Sequence, residues 1–220
     1  MKILLLDIET APHKAYVWGL YDQTVTLSRI IEDGYTLCWS AKWLRKRKIM
    51  FDSLQQSKPV DMIKGIHSLL EEADVVIHYN GCRFDIPTLN KEFILFGLTP
   101  PSNYKEVDLL RVARQRFRFT SNKLDYIAGV LGLGNKVQHK GMDLWRDCMN
   151  GDSRSWQIME RYNKQDVKLL EKLYDKMLPW IKNHPNYGLY LDSNRPVCRN
   201  CGSSKVKKNG PIVTGKHLIV

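Results

Sequence analysis

The 220-residue chain lacks any apolar run that approaches the roughly 20 residues of a membrane-spanning helix. We also expect no secretory signal peptide, because Asp7 and Glu9 interrupt the apolar run that begins at Ile3. Internal repeats and low-complexity segments are absent as well. With 43% hydrophobic and 26% charged residues, the composition is typical of a globular protein and not of a membrane or disordered one.

Cysteine is scarce and odd in number, since the chain has five. Cys38, Cys82 and Cys148 are scattered through apolar surroundings, which indicates buried thiols and not a disulfide framework. Free thiols are typical of a reducing compartment, so we expect a cytoplasmic protein.

The remaining two cysteines form a C-x-x-C motif, Cys198 to Cys201, followed by glycine. This pattern is typical of the first half of a zinc ribbon, in which two thiolates take half of a tetrahedral site. The second pair, expected about 15–20 residues later, does not appear before Val220, although His217 could be a third ligand. We therefore expect Zn²⁺ at Cys198 and Cys201 only if the ribbon is completed beyond this chain.

The C-terminal segment lacks acidic residues, with six Lys or Arg and no Asp or Glu from Arg195 onward. Proline and glycine upstream of it indicate a linker over 184–196. The sequence thus predicts one large domain over 1–183, the linker, and a short basic tail over 197–220 that resembles part of a zinc ribbon.

Basic residues outnumber acidic ones by 34 to 23, which gives a formal net charge of +11. Such a charge attracts polyanions, and nucleic acid is the expected partner. Two clusters interleave basic and aromatic residues, Lys42–Lys48 and Arg111–Phe119, a pattern that suits base stacking beside phosphate contacts. A solvated strand edge or helix face explains either cluster equally well.

The apolar run Ile3–Leu6 predicts a buried strand that ends at two acids, Asp7 and Glu9. Side chains alternate along a strand, so both carboxylates point to the same face. Two buried carboxylates repel each other unless a cation compensates, and hard divalent cations take oxygen ligands. The alternative is a strand that simply reaches the surface at Asp7, with both acids solvated.

A second predicted site contains Asp85, which lies where a strand gives way to a helix. The apolar residues 75–79 predict a short strand, Asn80-Gly81 a turn, and the spacing from Phe84 onward a helix. Asp85 therefore lies just past the C-terminal end of a strand, where α/β sheets place their sites. The alternative is a helix-capping aspartate.

A third site is predicted on the long helix that follows Asp152. Asp166 falls on the apolar stripe of this helix, four residues after Tyr162 and on the same face. The alternative is that Asp166 lies at the edge of the stripe, where the helix reaches the surface. The acids of the three sites have no evident basic partner in the sequence. The stripe comprises Met159, Tyr162, Leu169, Leu170, Leu173 and Met177.

The order of the elements predicts a mixed sheet with helices on its faces, because strands come first and alternating strands and helices follow. Strands are expected at 2–9, near 15–20, in one or two places within 35–52, at 74–79 and near 105–110, and helices at 59–72, at 84–97 and in a region that runs to about 183.

Taken together, Asp7-x-Glu9, Asn80…Phe84-Asp85 and Tyr162-x-x-x-Asp166 resemble the three motifs of the DEDD exonuclease superfamily. The tyrosine places the resemblance in the DEDDy branch. The resemblance covers residues 1 to about 180 and implies an α/β fold with a ribonuclease H-like mixed sheet. Leu124–Leu133 also resembles the helix that these proteins carry between the second and third motifs.

The resemblance implies a two-metal site for Mg²⁺ or Mn²⁺ held by Asp7, Glu9, Asp85 and Asp166. Asp7 would bridge both ions, Glu9 and Asp166 would complete the site of the attacking water, and Asp85 would support the second ion, partly through water. Tyr162 would orient the water, since its pKa near 10 makes it a poor base.

Three functions remain open at this point. The resemblance implies first a 3′–5′ exonuclease that acts on DNA, with single-stranded or frayed 3′ ends favoured, and releases nucleoside 5′-monophosphates. The second is an exoribonuclease of the same branch. The third is a catalytically inert nucleic-acid-binding protein that acts through the zinc ribbon, against which the intact acids argue. The sequence leaves the oligomeric state open.

Overall fold

The structure is a computed structural model, and it describes residues 1–191, 196–207, 212–213 and 218–219. Its strands are β1 (Ile3–Thr10), β2 (Lys14–Ala15), β3 (Ile30–Glu32), β4 (Thr36–Trp43), β5 (Met50–Ser53), β6 (Val75–His78), β7 (Lys105–Asp108), β8 (Ile212–Val213) and β9 (Leu218–Ile219). Its α-helices are α1 (Pro59–Glu71), α2 (Asp85–Leu95), α3 (Leu109–Arg116), α4 (Leu124–Val130), α5 (Met142–Met149) and α6 (Ser153–Met177). Three short 3₁₀ turns lie at Leu27–Arg29, Leu178–Trp180 and Tyr187–Tyr190.

A five-stranded mixed sheet in the order β5-β4-β1-β6-β7 forms the centre of the fold. β4 runs antiparallel to both β1 and β5, whereas β6 is parallel to β1 and β7 is parallel to β6. Two small two-stranded sheets, β2–β3 and β8–β9, lie outside it. The predicted α/β fold, a mixed sheet with helices on its faces, is confirmed.

The alternation of side chains along β1 decides which helices cover each face of the sheet. Leu4 and Leu6 pack into a core cluster with residues of α1 and α2. Ile3 and Leu5 pack into a second cluster, with residues of α3, α4 and α6. Because β1 is buried on both faces, the run is apolar without interruption as far as Asp7.

Two predicted elements differ from the structure. The strand expected near 15–20 is reduced to β2, because the large apolar side chains that follow, such as Trp18 and Leu20, are exposed and find no partner strand. The helical region expected up to about 183 is interrupted after α4. There Gly132 and Gly134 adopt φ values of 65° and 124°, a left-handed conformation that ends a helix.

The basic cluster Lys42–Lys48 lies away from the predicted acidic site. The Leu44 N–H donates to the Ile3 carbonyl at 2.9 Å, which places the cluster at the N-terminal end of β1. Lys42 is buried and forms an ion pair with Glu171 at 2.5 Å. Arg45 pairs with Asp175 at 2.8 Å. These two basic residues therefore tie the end of β4 to α6.

The first residue of the segment predicted as a linker and a residue of the predicted tail both contact the body of the fold. His184 is buried, and its Nε2 shares a 2.7 Å hydrogen bond with the Tyr174 hydroxyl. The side chain of Asn200 donates to the carbonyls of Leu178 and Ile181. The predicted boundaries at 183 and 196 stay predictions, and His217 lies outside the described residues. In the part of the chain that the structure describes, no helix is long and apolar enough to cross a membrane.

Candidate active site

The structure brings three of the predicted acids together at the C-terminal end of β1. Candidate ligand oxygens of Asp7, Glu9 and Asp166 all lie within 4.8 Å of one another. Asp7 and Glu9 point towards α6 because they share the face of Leu5. Asn163 fixes this approach, since its amide donates to Asp7 Oδ2 at 2.6 Å and to the Asp7 carbonyl at 3.3 Å.

Asp85 approaches β1 from the start of α2. Its Oδ1 accepts a 3.0 Å hydrogen bond from the Ile8 N–H, beyond the three residues of β1 that pair with β6. The turn that delivers it starts at Asn80, whose φ of 69° is left-handed, a conformation that asparagine tolerates. Gly81 follows because a Cβ there would stand 2.3 Å from Cγ of His78.

Burial and mutual repulsion keep these carboxyl groups from ionising easily. Burial, followed by the charges of Asp166 and Glu9, raises the pKa of Asp7 well above its usual value. The same two causes, burial first and then Asp166, raise the pKa of Glu9 to about 8. Burial raises the pKa of Asp85 to about 6. Ionising several buried carboxyl groups side by side costs folding free energy at neutral pH, and such an arrangement is typical of a functional site.

The expectation that the acids have no basic partner is wrong. Lys136 Nζ lies 2.5 Å from Asp166 Oδ2 and donates to the Tyr162 hydroxyl at 3.3 Å. Burial lowers the pKa of Lys136, but Asp166 and Tyr162 outweigh it and the pKa is raised overall. The connection that carries Lys136 is tied to α6, where Lys172 donates to the Leu133 carbonyl.

Tyr162 presents its hydroxyl to the acids and its ring to two aromatic neighbours. The ring packs edge-on against His139 and Trp145, with centroid distances of 4.8 and 5.9 Å. Sequence reasoning missed Lys136, His139, Trp145 and Asn163. Only Asn163 carried a signal, because it is a polar residue beside Tyr162 on a helix whose face is buried.

An open cleft of about 490 Å³ leads from solvent to Asp7, Tyr162 and Asp166. Its walls come from the ends of β1 and β6, from α3, α4 and α6, and from the connections on either side of α4. The lining residues are Asp7, Tyr79, Asn80, Leu110, Lys123, Leu124, Asp125, Lys136, His139, Tyr162 and Asp166.

The donor set fits a divalent cation. Asp166 Oδ1 is buried and has no hydrogen-bond partner among the described residues, so it is an oxygen that a cation would satisfy. Burial first, and then the neighbouring Asp166 carboxylate, raise the pKa values of Asp7 and Glu9 although Lys136 opposes the shift, so a bound cation would favour the ionised ligands there. A site made only of oxygen ligands suits Mg²⁺ or Mn²⁺ better than Zn²⁺.

The family model of the RNase_H superfamily matches residues 4–178. The chain belongs to the RNase_H superfamily. In this RNase_H superfamily protein the match runs from β1 to the end of α6 and therefore includes every predicted site residue, namely Asp7, Glu9, Asp85, Tyr162 and Asp166.

A solved structure shares the fold of this RNase_H superfamily protein. It is the family B DNA polymerase from the hyperthermophilic archaeon Pyrobaculum calidifontis, with a TM-score of 0.60 and 18% identity over 81% of this chain. The match covers 24% of the polymerase chain, and at this identity the likeness shows the fold alone. No curated protein sequence matches the chain. The ribonuclease H-like fold expected from the sequence is thereby confirmed, and membership of the superfamily supports a nuclease fold.

The raised pKa of Glu9 predicts how the stability of the metal-free protein changes with pH. The pKa of Glu9 is about 8 in the fold against 4.5 as the ordinary value, so the folded state holds the proton more tightly. This contribution to stability is complete below about pH 4.5 and is lost as pH rises to about 8. In EDTA, the melting temperature should therefore fall more steeply across that range in the parent than in Glu9→Gln.

Thermal unfolding followed by circular dichroism at several pH values measures both slopes. Glu72→Gln is the matched control, because Glu72 is an exposed glutamate that pairs with Lys2 at 3.1 Å. Equal slopes in the parent and in Glu9→Gln would show that Glu9 ionises freely in the fold.

Proposed function

We propose that the protein is a metal-dependent 3′–5′ exonuclease that hydrolyses phosphodiester bonds and releases nucleoside 5′-monophosphates. The observation that carries the proposal is the meeting of Asp7, Glu9 and Asp166 within 4.8 Å, beside the Tyr162 hydroxyl, on a fold of the RNase_H superfamily. The tyrosine four residues before the last aspartate favours the DEDDy branch of this superfamily.

Asp7, Glu9 and Asp166 would hold divalent ions, with Asp85 supporting the second ion from the start of α2. When bound, a pair of Mg²⁺ or Mn²⁺ ions supplies Lewis-acid stabilisation to the attacking and leaving oxygens of an in-line displacement. Asn163 keeps the Asp7 carboxylate in place through its 2.6 Å hydrogen bond. The protein thus supplies a preformed set of oxygen ligands at the mouth of an open cleft.

Tyr162 would orient the attacking water with its hydroxyl. Burial, followed by the charges of Glu9 and Asp166, raises its pKa, so the hydroxyl stays protonated at neutral pH and acts as a hydrogen-bonding group. Lys136 holds this hydroxyl and Asp166 in one geometry by binding both. It also places a positive charge beside the phosphate that enters the cleft.

The proposed substrate is DNA with a single-stranded or frayed 3′ end, and this choice rests on the resemblance to the DEDDy branch. The formal net charge of +11 supports a polyanionic substrate of either kind. An exoribonuclease of the same branch is the second candidate. Side-by-side rates on DNA and RNA oligonucleotides of one sequence separate the two.

Metal dependence is the prediction that tests this function. Excess EDTA should abolish the release of nucleoside 5′-monophosphates, and Mg²⁺ or Mn²⁺ should restore it, because the clustered carboxylates need cations before they accept an anionic substrate. Chromatography of the released nucleotides measures the effect. Undiminished hydrolysis in EDTA would contradict the two-metal proposal.

A covalently closed single-stranded circle is the control for end selection, since it offers no 3′ terminus. The exonuclease proposal predicts that the circle resists degradation while the linear form of the same sequence is consumed. Efficient cutting of the circle would show an endonuclease on the same fold. Binding without hydrolysis of any substrate would favour the inert nucleic-acid-binding protein.

A further inference from the structure

The loop over residues 16–29, here called the aromatic loop, exposes an unusual amount of apolar surface. It connects β2 to β3 and is closed at its base by a 3.0 Å hydrogen bond from the Tyr16 N–H to the Arg29 carbonyl. Its largest side chains are 75% to 92% exposed: Tyr16, Trp18, Leu20, Tyr21 and Leu27. Exposed apolar side chains grouped in this way mark an interaction site.

The aromatic loop is continuous with the candidate active site. β1 carries Glu9, ends at Thr10 and leads directly into Ala11, which is buried in one core cluster with Tyr162. The Ala11 N–H donates to the Tyr35 carbonyl at 2.8 Å, so the two ends of segment 11–35 meet beside the core cluster that contains Tyr162. The loop therefore projects from the end of the strand that supplies two of the four acids.

The base of segment 11–35, which carries the aromatic loop, is fixed to the body of the fold. Lys14 pairs with Glu32 at 2.5 Å across β2 and β3. Lys91 of α2 donates to the Gly34 carbonyl at 2.6 Å. A Cβ at Gly34 would stand 2.7 Å from the Ala11 carbonyl oxygen, so glycine is required where the two ends cross. The point at which the loop leaves the fold is thus held in a defined position relative to the acids.

The chemistry of the loop selects the kind of ligand. Three of its five most exposed large side chains are aromatic, and aromatic rings bind nucleic-acid bases by stacking regardless of sequence. Residues 16–29 carry one basic side chain, Arg29, and one acidic side chain, Asp22, so the loop has no excess positive charge for phosphates. Bases that are free to stack occur in single strands, not inside a duplex.

We propose that the aromatic loop is a stacking arm that binds the unpaired bases of a single-stranded nucleic acid whose 3′ end occupies the cleft. The proposal rests on the proposed function, because it takes the acids as the place where that strand ends. Trp18 follows Glu9 by nine residues and so stands at most about 32 Å from it. At about 3.4 Å per stacked nucleotide, this reach corresponds to roughly nine nucleotides.

Binding in EDTA tests the arm without requiring catalysis. A fluorescently labelled oligo(dT) of about 15 nucleotides, longer than the reach of the loop, should bind Trp18→Ala roughly 10-fold more weakly than the parent, and Trp18→Phe should restore most of the affinity. Anisotropy gives both values. Leu189→Ala is the control, because Leu189 is 80% exposed outside the loop.

The loss should be the same factor at low and at moderate salt, because stacking releases no counterions. Hydrolysis of the p-nitrophenyl ester of thymidine 5′-monophosphate with Mn²⁺ reports on the acids alone, since this substrate is too short to reach the loop. An inactive parent in that assay counts against the proposed function. The binding assay still tests whether the aromatic loop binds bases.

Unchanged oligonucleotide affinity in Trp18→Ala would overturn the stacking arm. So would a parent that sediments as a dimer and a Trp18→Ala variant that sediments as a monomer, because the loop would then be an interface between two copies. Trp18 is 92% exposed, so its replacement removes no packing. The melting temperature of the variant should therefore equal that of the parent.

Discussion

Asp7→Asn should slow phosphodiester hydrolysis by about 10³-fold or more while the protein stays folded. The substitution removes one charged ligand from the centre of the acid cluster, and several kcal/mol of transition-state stabilisation by the metals depend on such ligands. Asparagine keeps an oxygen that can accept the hydrogen bond of Asn163, so the local structure is retained. Turnover with Mn²⁺ and melting in EDTA measure the two effects.

The melting temperature of metal-free Asp7→Asn should equal or exceed that of the parent. Burial and the charges of Asp166 and Glu9 raise the pKa of Asp7, so its ionised form destabilises the fold at neutral pH. Asp61→Asn, an exposed change on α1 with the same loss of charge, is the control. A large drop in melting temperature for Asp7→Asn alone would identify Asp7 as a structural residue.

Tyr162→Phe should slow the chemical step by roughly 10²–10⁴-fold and leave metal binding nearly intact. The phenylalanine ring can still pack edge-on against His139 and Trp145, so the change is confined to the hydroxyl. Asp166→Asn, one helical turn away, should lose both the chemical step and metal affinity. Single-turnover rates at saturating Mn²⁺, together with Mn²⁺ titrations, separate the two variants.

A Tyr162→Phe variant as fast as the parent would make Tyr162 a packing residue of α6. The contact with Lys136 sharpens the comparison, because Lys136 reaches Asp166 at 2.5 Å without help from the Tyr162 hydroxyl. The carboxylate therefore keeps its partner in Tyr162→Phe. A loss of metal affinity in that variant would contradict the division of roles between the two residues.

The local parts of the site could be predicted from the sequence because they depend on short periodicities. The period of two along β1 puts Asp7 and Glu9 on one face, and the spacing of four on α6 puts Tyr162 beside Asp166. The turn signal at Asn80 likewise predicts where α2 begins. Each of these relations is settled within a few residues of chain.

Lys136 could not be predicted because its position depends on tertiary contacts. It lies in an irregular connection after α4, where no periodicity assigns a side chain to a face, and its partner Asp166 is 30 residues away. The partners of the basic run Lys42–Lys48 could not be predicted for the same reason. Its Lys42 meets Glu171, which is 129 residues distant in the chain.

At the aromatic loop, the sequence predicts a structure that does not form. Its aromatic and β-branched residues predict a strand near 15–20, because these residue types favour pleated structure. In the fold only Lys14 and Ala15 pair, with β3, and Trp18 remains exposed. A composition that favours strands predicts a strand only when a partner edge is within reach, and the described sheet offers none at this point.

Digestion of a 5′-labelled single-stranded DNA oligonucleotide, with Mn²⁺ and with excess EDTA, tests the central claim most directly. The account predicts a ladder that shortens one nucleotide at a time from the 3′ end, present with Mn²⁺ and absent with EDTA. Internal fragments that appear at once, or a ladder that persists in EDTA, would contradict a metal-dependent 3′–5′ exonuclease built on Asp7, Glu9, Asp85 and Asp166.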